Sequence, residues 1–353
     1  MKGAGVSMKK SGTTQIKEIA EKLGISPGTV SVVLNGRGDD LRISKATQQR
    51  VKEAAKEMNY QPNIYARRLR NSKDGVVTKV IAVFWSTEFM FDIMGRFFMG
   101  MYKAVKEKEY NVEFFIQLFD FDRLSEWKNI MNSSRFSGII ISGSSDKDVD
   151  FLKENDFDLP VVLLNRNEEN YHCVYINDYD IGKSVAKLFH SRNHKRVALI
   201  SMKRKGSGAI MRQAGFLEAV KNYEMDIRED WIKEMSGRDY GSGYEAGRML
   251  MQSKEKPQAI FAMSSAQVLG TIIACQEAGL RVPEDVEIMT YGDNSTLECF
   301  SPTISSVYIP IEYLAENALN LLILVIDNGI DMPMSRTLYA EYAFRDSCGG
   351  FLE

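Results

Sequence analysis

Residues 16–36 read IKEIAEKLGISPGTVSVVLNG. Apolar residues recur at helical spacing in the first half of this stretch, and Gly24 is a natural stop for the helix. Ser26 is a favoured N-cap, and Pro27 is favoured at the first position of the next helix. The stretch therefore predicts two short helices joined by a tight turn, which is a helix-turn-helix.

The chain around this motif completes a small helical headpiece. Residues 44–60, SKATQQRVKEAAKEMNY, predict a third helix that is capped by Ser44. We place a disordered N-terminal extension at residues 1–13 and the helix-turn-helix domain at residues 14–62. The next stretch, residues 63–77, is predicted to be a short hinge helix and linker that orders only against a partner.

The charge of the chain is distributed unevenly. Residues 1–73 contain 15 Lys and Arg against 6 Asp and Glu, a net charge of +9. The remaining residues contain 30 against 41, a net charge of −11. A basic head on an acidic body favours a polyanionic partner such as nucleic acid, although charge runs also occur on ordinary solvated surfaces.

From residue 79 onward the pattern changes. Apolar runs such as VIAVFW and GIIIS alternate with amphipathic stretches such as DIGKSVAKLFHS. This alternation predicts parallel sheets with crossover helices. The predicted fold is an all-α headpiece followed by an α/β core of two Rossmann-like subdomains. A ligand cleft is expected at the carboxyl ends of the strands.

The sequence makes no positive case for an enzyme. Residues 177–184, NDYDIGKS, end like a phosphate loop but lack its first glycine, so an ordinary helix start is favoured. His190 and His194 are four residues apart, but a helix end explains them better than a metal site. The four cysteines are not spaced as a zinc or redox motif, which favours free thiols in a reducing cytoplasm. We predict no catalytic residues, no metal and no cofactor.

Several motifs resemble those of the LacI/GalR transcriptional repressors. In the head, TVSVVLN, NYQPN and ARRL occur in the order and spacing of that family. In the body, LPVVLLNR, NHKRVALIS, RQAGF and EAGLRVPEDV do so too. The resemblance extends from Thr14 to about Phe344. It implies a dimeric regulator with a helix-turn-helix that reads DNA, a hinge helix in the minor groove, and a periplasmic-binding-protein-like core that binds a small effector.

The resemblance also divides the core, residues 78–353. An N-subdomain is expected at about 78–177 and 306–332, and a C-subdomain at about 178–305 and 333–353. We predict a cytoplasmic, homodimeric, sequence-specific repressor with no membrane association. Its partners are a double-stranded DNA operator and a small effector, a sugar or sugar derivative. A solute-binding protein, which calls for export and has no basic head, and an enzyme on an α/β scaffold are the alternatives.

The second helix is the predicted reader of base edges. Gly28 and Val32 stand where many members of the family have large polar residues, which favours close backbone approach and apolar contact with a thymine methyl group. Leu69 is interpreted as a minor-groove wedge, or else as packing for the linker. The predicted DNA contacts are Gln15, Ile16, Ser26, Gly28, Thr29, Ser31, Val32, Asn35, Tyr60, Asn63, Ala66, Arg67 and Leu69.

The effector is predicted to lie between the two subdomains. Arg212 and Asp293 fall at element ends facing the cleft, where each can bridge vicinal hydroxyls of a sugar. Alternatively, Arg212 is a surface cation that opens a helix. The predicted assisting residues are Asn165, Ser264, Tyr240 and Phe91. The aromatic ring of Tyr240 or Phe91 can stack on a sugar face.

Overall fold

The computed structural model describes residues 12–34, 37–58, 78–87, 91–203, 206–292 and 294–352. The headpiece contains three helices, α1 (Gly12–Leu23), α2 (Pro27–Leu34) and α3 (Lys45–Glu57). Gly12 and Thr13 are already helical, so the extension predicted at residues 1–13 is too long at its end.

Side-chain caps begin the second and third helices. The Thr29 amide donates to Ser26 Oγ at 3.0 Å, and the Thr47 amide donates to Ser44 Oγ at 3.2 Å. Each cap satisfies an amide that has no partner within its own helix, which confirms the two predicted helix starts. The three helices enclose a small core, whose fully buried members are Ile19, Val30 and Val51.

Two six-stranded sheets form the rest of the chain. The first contains β1 (Lys79–Ser86), β2 (Val112–Phe119), β3 (Gly138–Ser142), β4 (Val161–Leu164), β5 (His172–Ile176) and β11 (Ser335–Leu338). The second contains β6 (Val197–Met202), β7 (Ile232–Met235), β8 (Ala259–Ala262), β9 (Glu287–Tyr291), β10 (Ser305–Tyr308) and β12 (Glu341–Ala343).

The first sheet has the order β11-β5-β4-β3-β1-β2 with parallel pairing. The second has the order β12-β10-β9-β8-β6-β7, with β12 antiparallel at its edge. Central strands such as β3, GIIIS, are buried at every position, as expected for strands with helices on both faces. The predicted α/β class is therefore confirmed.

Helices connect the strands. They are α4 (Phe91–Lys108), α5 (Asp146–Lys153), α6 (Asp178–Ser191), α7 (Ser207–Asn222), α8 (Tyr240–Met251), α9 (Ser265–Glu277), α10 (Ser295–Cys299) and α11 (Ile311–Asn328). Two 3-10 helices cover Leu124–Ile130 and Glu229–Trp231. Within the described ranges, no helix is long and apolar enough to cross a membrane.

The chain passes between the sheets at different points from those predicted. Strand β10 pairs with β9 in the second sheet, although the N-subdomain was expected to resume at 306. Strand β11 pairs with β5 in the first sheet, although residues 333–353 were assigned to the C-subdomain. Because β11 is a short polar edge strand, SRTL, its sequence has no apolar run that identifies its sheet.

Glycines bring two helix pairs into backbone contact. A Cβ at Gly182 in α6 would overlap the Arg212 carbonyl, and one at Gly215 in α7 would overlap the Tyr179 carbonyl. In the same way, a Cβ at Gly243 in α8 would overlap the Gln267 carbonyl in α9. The α6–α7 contact is the one that fixes where the Arg212 side chain begins.

A buried carboxylate ties the C-terminal segment to the second subdomain. Glu287 accepts hydrogen bonds from Arg192 Nε at 2.6 Å and from the Cys348 thiol at 3.3 Å, and it contacts His194 Nε2 at 2.9 Å. Arg192 also donates to the Gly350 carbonyl. Burial opposes ionisation of Glu287, but hydrogen bonds with His194 and Arg192 outweigh it and lower its pKa from 4.5 to about 2.

We predict that Gly182→Ala destabilises the core. The added methyl group meets backbone atoms that cannot rotate away, so the free energy of unfolding should fall by about 1–3 kcal/mol or more. The control is Gly241→Ala, a helical glycine whose Cβ would have no neighbour nearer than 3.5 Å. It should leave stability unchanged or raise it by about 0.5–1 kcal/mol. Urea unfolding measures both variants, and equal losses would contradict the backbone contact.

We also predict that Glu287 gives the core an acid-dependent stability. Its folded pKa is depressed, so its contribution is complete above about pH 4.5 and is lost as the pH falls towards 2. Glu287→Gln should cost about 3 kcal/mol at pH 7 and flatten the decline between pH 4.5 and 2. The exposed Glu284→Gln is the control. Melting temperatures across this range test the prediction, and parallel wild-type and Glu287→Gln curves would refute it.

Candidate DNA-binding and effector sites

Helix α2 presents a short-chain outer surface. Val30 and Val33 are buried in the headpiece, whereas Gly28 is exposed and Val32 is half-buried. The inner valines seat the helix and leave small residues at its outer face and N-terminus. This is the geometry that lets a recognition helix approach base edges in a major groove.

The predicted DNA contacts fall into different environments. Ser26 Oγ caps α2 and lies 2.8 Å from Thr29 Oγ1, so the two hydroxyls bond to each other. Ile16 packs against the headpiece core, which gives its side chain a packing role. Ser31 is half-buried in α2, and Gln15 lies in α1. The remaining predicted contacts lie outside the described residues: Asn35, Tyr60, Asn63, Ala66, Arg67 and Leu69.

The loop between α2 and α3 is held by a buried amide. Gln48 Nε2 donates to Asp39 Oδ1 at 2.9 Å and to the Ile43 carbonyl at 2.8 Å. Hydrogen bonds from Lys45 and Gln48 lower the pKa of Asp39. Gly38 has no room for a side chain because Gln48 lies against it. Residues 38–43 of this loop are thus held against α3.

A cavity lies between the two sheets at the carboxyl ends of their strands. Its walls include Asn165 after β4, Met202 at the end of β6 and Tyr291 at the end of β9. Ile309, on the segment that joins β10 to α11, and Ile311, the first residue of α11, also line it. Both subdomains and a connecting segment therefore contribute to one site, at the place that the sheet topology predicts.

Arg212 is the fixed centre of this cavity. It is 3% exposed, and its Nε and Nη2 donate to Asp178 Oδ1 at 3.0 and 2.5 Å. Its Cζ lies 3.0 Å from the centre of the Tyr291 ring. Burial raises the pKa of the Tyr291 phenol, and the positive charge of Arg212 opposes this. Arg212 is therefore not the surface cation of the alternative interpretation.

Of the other predicted effector residues, two line the cavity and one does not. Asn165, with a φ of 51°, and Ser264 both line the cavity. Tyr240 does not line it. The Tyr240 carbonyl packs against Gly270, and its half-exposed ring lies parallel to that of Tyr244 instead. The Phe91 side chain and Asp293 lie outside the described parts of the chain.

Several residues that line the cavity were not predicted. They are Arg96, Phe121, Ser144, Arg166, Arg238 and Tyr291. Arg166 follows Asn165 directly and Ser144 comes two residues after GIIIS, so their positions after buried strands were a usable signal. Arg96 had no such signal, because it lies within helix α4 and does not follow a strand. Its side chain pairs with Glu312.

The histidines serve packing and hydrogen bonding. His190 stacks on the Tyr223 ring with 4.5 Å between centroids, and His194 contacts Glu287. Among the described residues, no group of three or more His, Cys, Asp and Glu side chains is placed to hold a metal ion. The cavity offers guanidinium, amide and hydroxyl groups, which suit recognition of a polar small molecule.

Two families match the chain. The family described as "Bacterial regulatory proteins, lacI family" matches residues 15–63, and the "Periplasmic binding protein-like domain" matches residues 186–348. The transcriptional repressor PurR of Histophilus somni is 27% identical over 315 residues, covering 87% of this chain and 90% of that protein.

Solved structures agree in fold. A LacI family regulator from Clostridium acetobutylicum has a TM-score of 0.71 and 27% identity, and covers 76% of this chain and 100% of that one. The CelR regulator in complex with cellobiose has a TM-score of 0.68 and 24% identity, and covers 94% of this chain and 99% of that one. The curated relatives are transcriptional repressors, not enzymes. The chain therefore joins a helix-turn-helix domain of the lacI family to a periplasmic-binding-protein-like core, and it is a DNA-binding transcriptional regulator.

Proposed function

We propose that this regulator is a homodimeric repressor of the cytoplasm. Its operator affinity is set by a sugar or sugar derivative bound between the core subdomains. The observation that carries this proposal is the cavity itself, in which a buried guanidinium, an amide and a hydroxyl from different elements converge. A ligand that contacts both subdomains favours one relative arrangement of them, which is the requirement for coupling to DNA binding.

The chemistry of the cavity supports a polyhydroxylated effector. Arg212 is held rigidly by Asp178, so its remaining edge faces the ligand with little loss of side-chain entropy. Asn165 and Ser264 supply further polar groups, and Phe121 supplies an aromatic surface for a sugar face. A neighbour in fold, CelR, has been solved with cellobiose, which makes sugars sensible first probes.

An apolar surface on the first subdomain supports the homodimer. Met99 and Tyr102 on α4 and Tyr313 on α11 are each more than half exposed. The Glu312 backbone packs on Gly100, which places these two helices side by side. Ile116 on the edge strand β2 is also exposed. A second copy of the chain would cover such a surface and match a two-fold operator.

The proposed roles of the headpiece divide affinity from specificity. The net positive charge of residues 1–73 attracts phosphates without distinguishing sequences. Gly28 and Val32 on α2 are proposed to read bases, through close approach and contact with a thymine methyl group. Leu69 is proposed as the minor-groove wedge, and its test is reduced DNA bending by Leu69→Ser.

We predict that Val32→Arg changes base preference at one position in each half of a two-fold symmetric site. If a guanine contact forms, discrimination there should change by about 1–3 kcal/mol. The control Gln49→Arg adds the same charge on an exposed position of α3 and should leave the preference unchanged. Binding-site selection and footprinting provide the measurement. An unchanged profile would show that residue 32 does not face the bases, and a single bound half-site would contradict the dimer.

We predict that Arg212→Lys abolishes the effector response and spares the fold. Lysine keeps the positive charge beside Asp178 but cannot present a planar guanidinium edge to the ligand. Operator binding without effector should therefore persist, and the effector should no longer change it. Tyr240→Ala, outside the cavity, is the matched control.

The experiment has two stages. Thermal-shift screening against sugars identifies an effector, because a ligand of the folded state raises its stability. Operator titrations with and without it then compare wild type, Arg212→Lys and Tyr240→Ala. A normal response in Arg212→Lys would place the effector elsewhere. Chemical turnover of a bound ligand would instead favour the enzyme alternative.

A further inference from the structure

Helix α7 begins with an uncapped N-terminus that faces the cavity. Gly206 occupies the N-cap position and has no side chain to accept a hydrogen bond, and the first turn contains no acidic residue. Residues 206–209 all line the cavity. The first amides of a 16-residue helix therefore meet the ligand space directly, with the positive end of the helix dipole behind them.

The neighbouring helix α6 begins differently. Asn177 accepts a hydrogen bond from the Asp180 amide, and Asp178 and Asp180 lie in the first turn. These groups satisfy the start of α6 from within the protein. The Asp178 carboxylate also lies against Gly208, but its charge is shared with Arg212. Gly206 gives the first amides of α7 no side-chain cap within the described part of the chain, so a ligand can accept hydrogen bonds from them.

An unpaired hydroxyl on the opposite wall points to the same kind of ligand. Ser144 follows β3 in the first subdomain and is 6% exposed. Its Oγ is buried and has no hydrogen-bond partner among the described residues, yet it lines the cavity. A buried hydroxyl without a partner is costly, so a ligand atom is the natural acceptor for its proton.

Charge in the cavity walls has one sign. Four guanidinium groups line it, and no Asp or Glu does so among the described residues. The carboxylates that hold these guanidinium groups, Asp178 for Arg212 and Glu312 for Arg96, lie behind them and outside the lining. The charged groups that line the cavity are therefore hydrogen-bond donors, beside one neutral acceptor, Asn165 Oδ1, that is unpaired within the described ranges.

We infer that the effector carries an acidic group, a carboxylate or a phosphate, which binds at the first turn of α7 and accepts a hydrogen bond from Ser144. The inference rests on the proposed function and narrows its ligand from a sugar derivative to an acidic one. Helix N-termini are anion sites because their free amides and dipole both favour negative charge.

A pair of variants tests the position. Ala209→Glu places a carboxylate in the first turn of α7 at a residue that lines the cavity, whereas Ile210→Glu places one at the next residue, which is 48% exposed. Both acids suit the start of a helix, so both variants should fold, which circular dichroism checks. They differ in whether the new charge meets the ligand.

The probes are inorganic phosphate, D-glucose 6-phosphate, D-glucuronate and neutral D-glucose, added to the full chain at equal ionic strength. We expect phosphate to raise the melting temperature by about 2 °C or more over chloride. The rise should persist in Ile210→Glu and disappear in Ala209→Glu. Ser144→Ala should weaken phosphate binding about tenfold in calorimetry. A stronger response to D-glucuronate indicates a carboxylate, and one to D-glucose 6-phosphate a phosphate.

Three results would overturn the inference. No rise with any acidic probe would show that the cavity does not take an anion. An equal rise in Ala209→Glu and Ile210→Glu would place the anion elsewhere on the surface. A rise with D-glucose that exceeds those of its acidic forms would show a neutral effector, and the proposed function would stand without the acidic group.

Discussion

Asp178 and Arg212 meet where helices α6 and α7 cross, and both side chains are almost wholly buried. Their ion pair is possible because Gly182 and Gly215 bring the two helix backbones together. The Tyr291 ring, at the end of strand β9, covers the guanidinium. Strand β9 and helices α6 and α7 thus converge on one pair of charges. The geometry of the effector cavity depends on that pair.

A buried ion pair is an expensive way to stabilise a fold, because two charges leave water for a modest net gain. Its value at this place lies in orientation. The Asp178 carboxylate accepts hydrogen bonds from Nε and Nη2 of Arg212, and the Tyr291 ring covers one face of the guanidinium. One edge of the Arg212 guanidinium remains for the ligand, and it points in a fixed direction. Binding therefore costs little further side-chain entropy at Arg212. The uncapped start of α7 is preorganised in the same way, by backbone geometry.

In the headpiece, the positive charge and the predicted base-reading residues lie in different places. Its positive charges are spread over the basic head, whereas α2 is uncharged and apolar inside. Long-range attraction and base discrimination are therefore assigned to different residues. Asp39, in the loop before α3, bonds to Gln48 and pairs with Lys45, so its negative charge does not add net repulsion towards DNA at that position.

The sequence alone could establish those features of the fold that depend on short-range interactions. Ser26, Pro27 and Ser44 determine where helices begin through short-range caps, and alternating apolar runs determine that the body is a two-sheet α/β core. Tertiary structure alone decided the rest. Tyr240 turns outward because its backbone packs on Gly270, and β11 joins the first sheet because pairing with β5 is a long-range contact. Asp178 has the sequence of an ordinary helix start, and it becomes the partner of Arg212 because two glycines 33 residues apart allow their helices to touch.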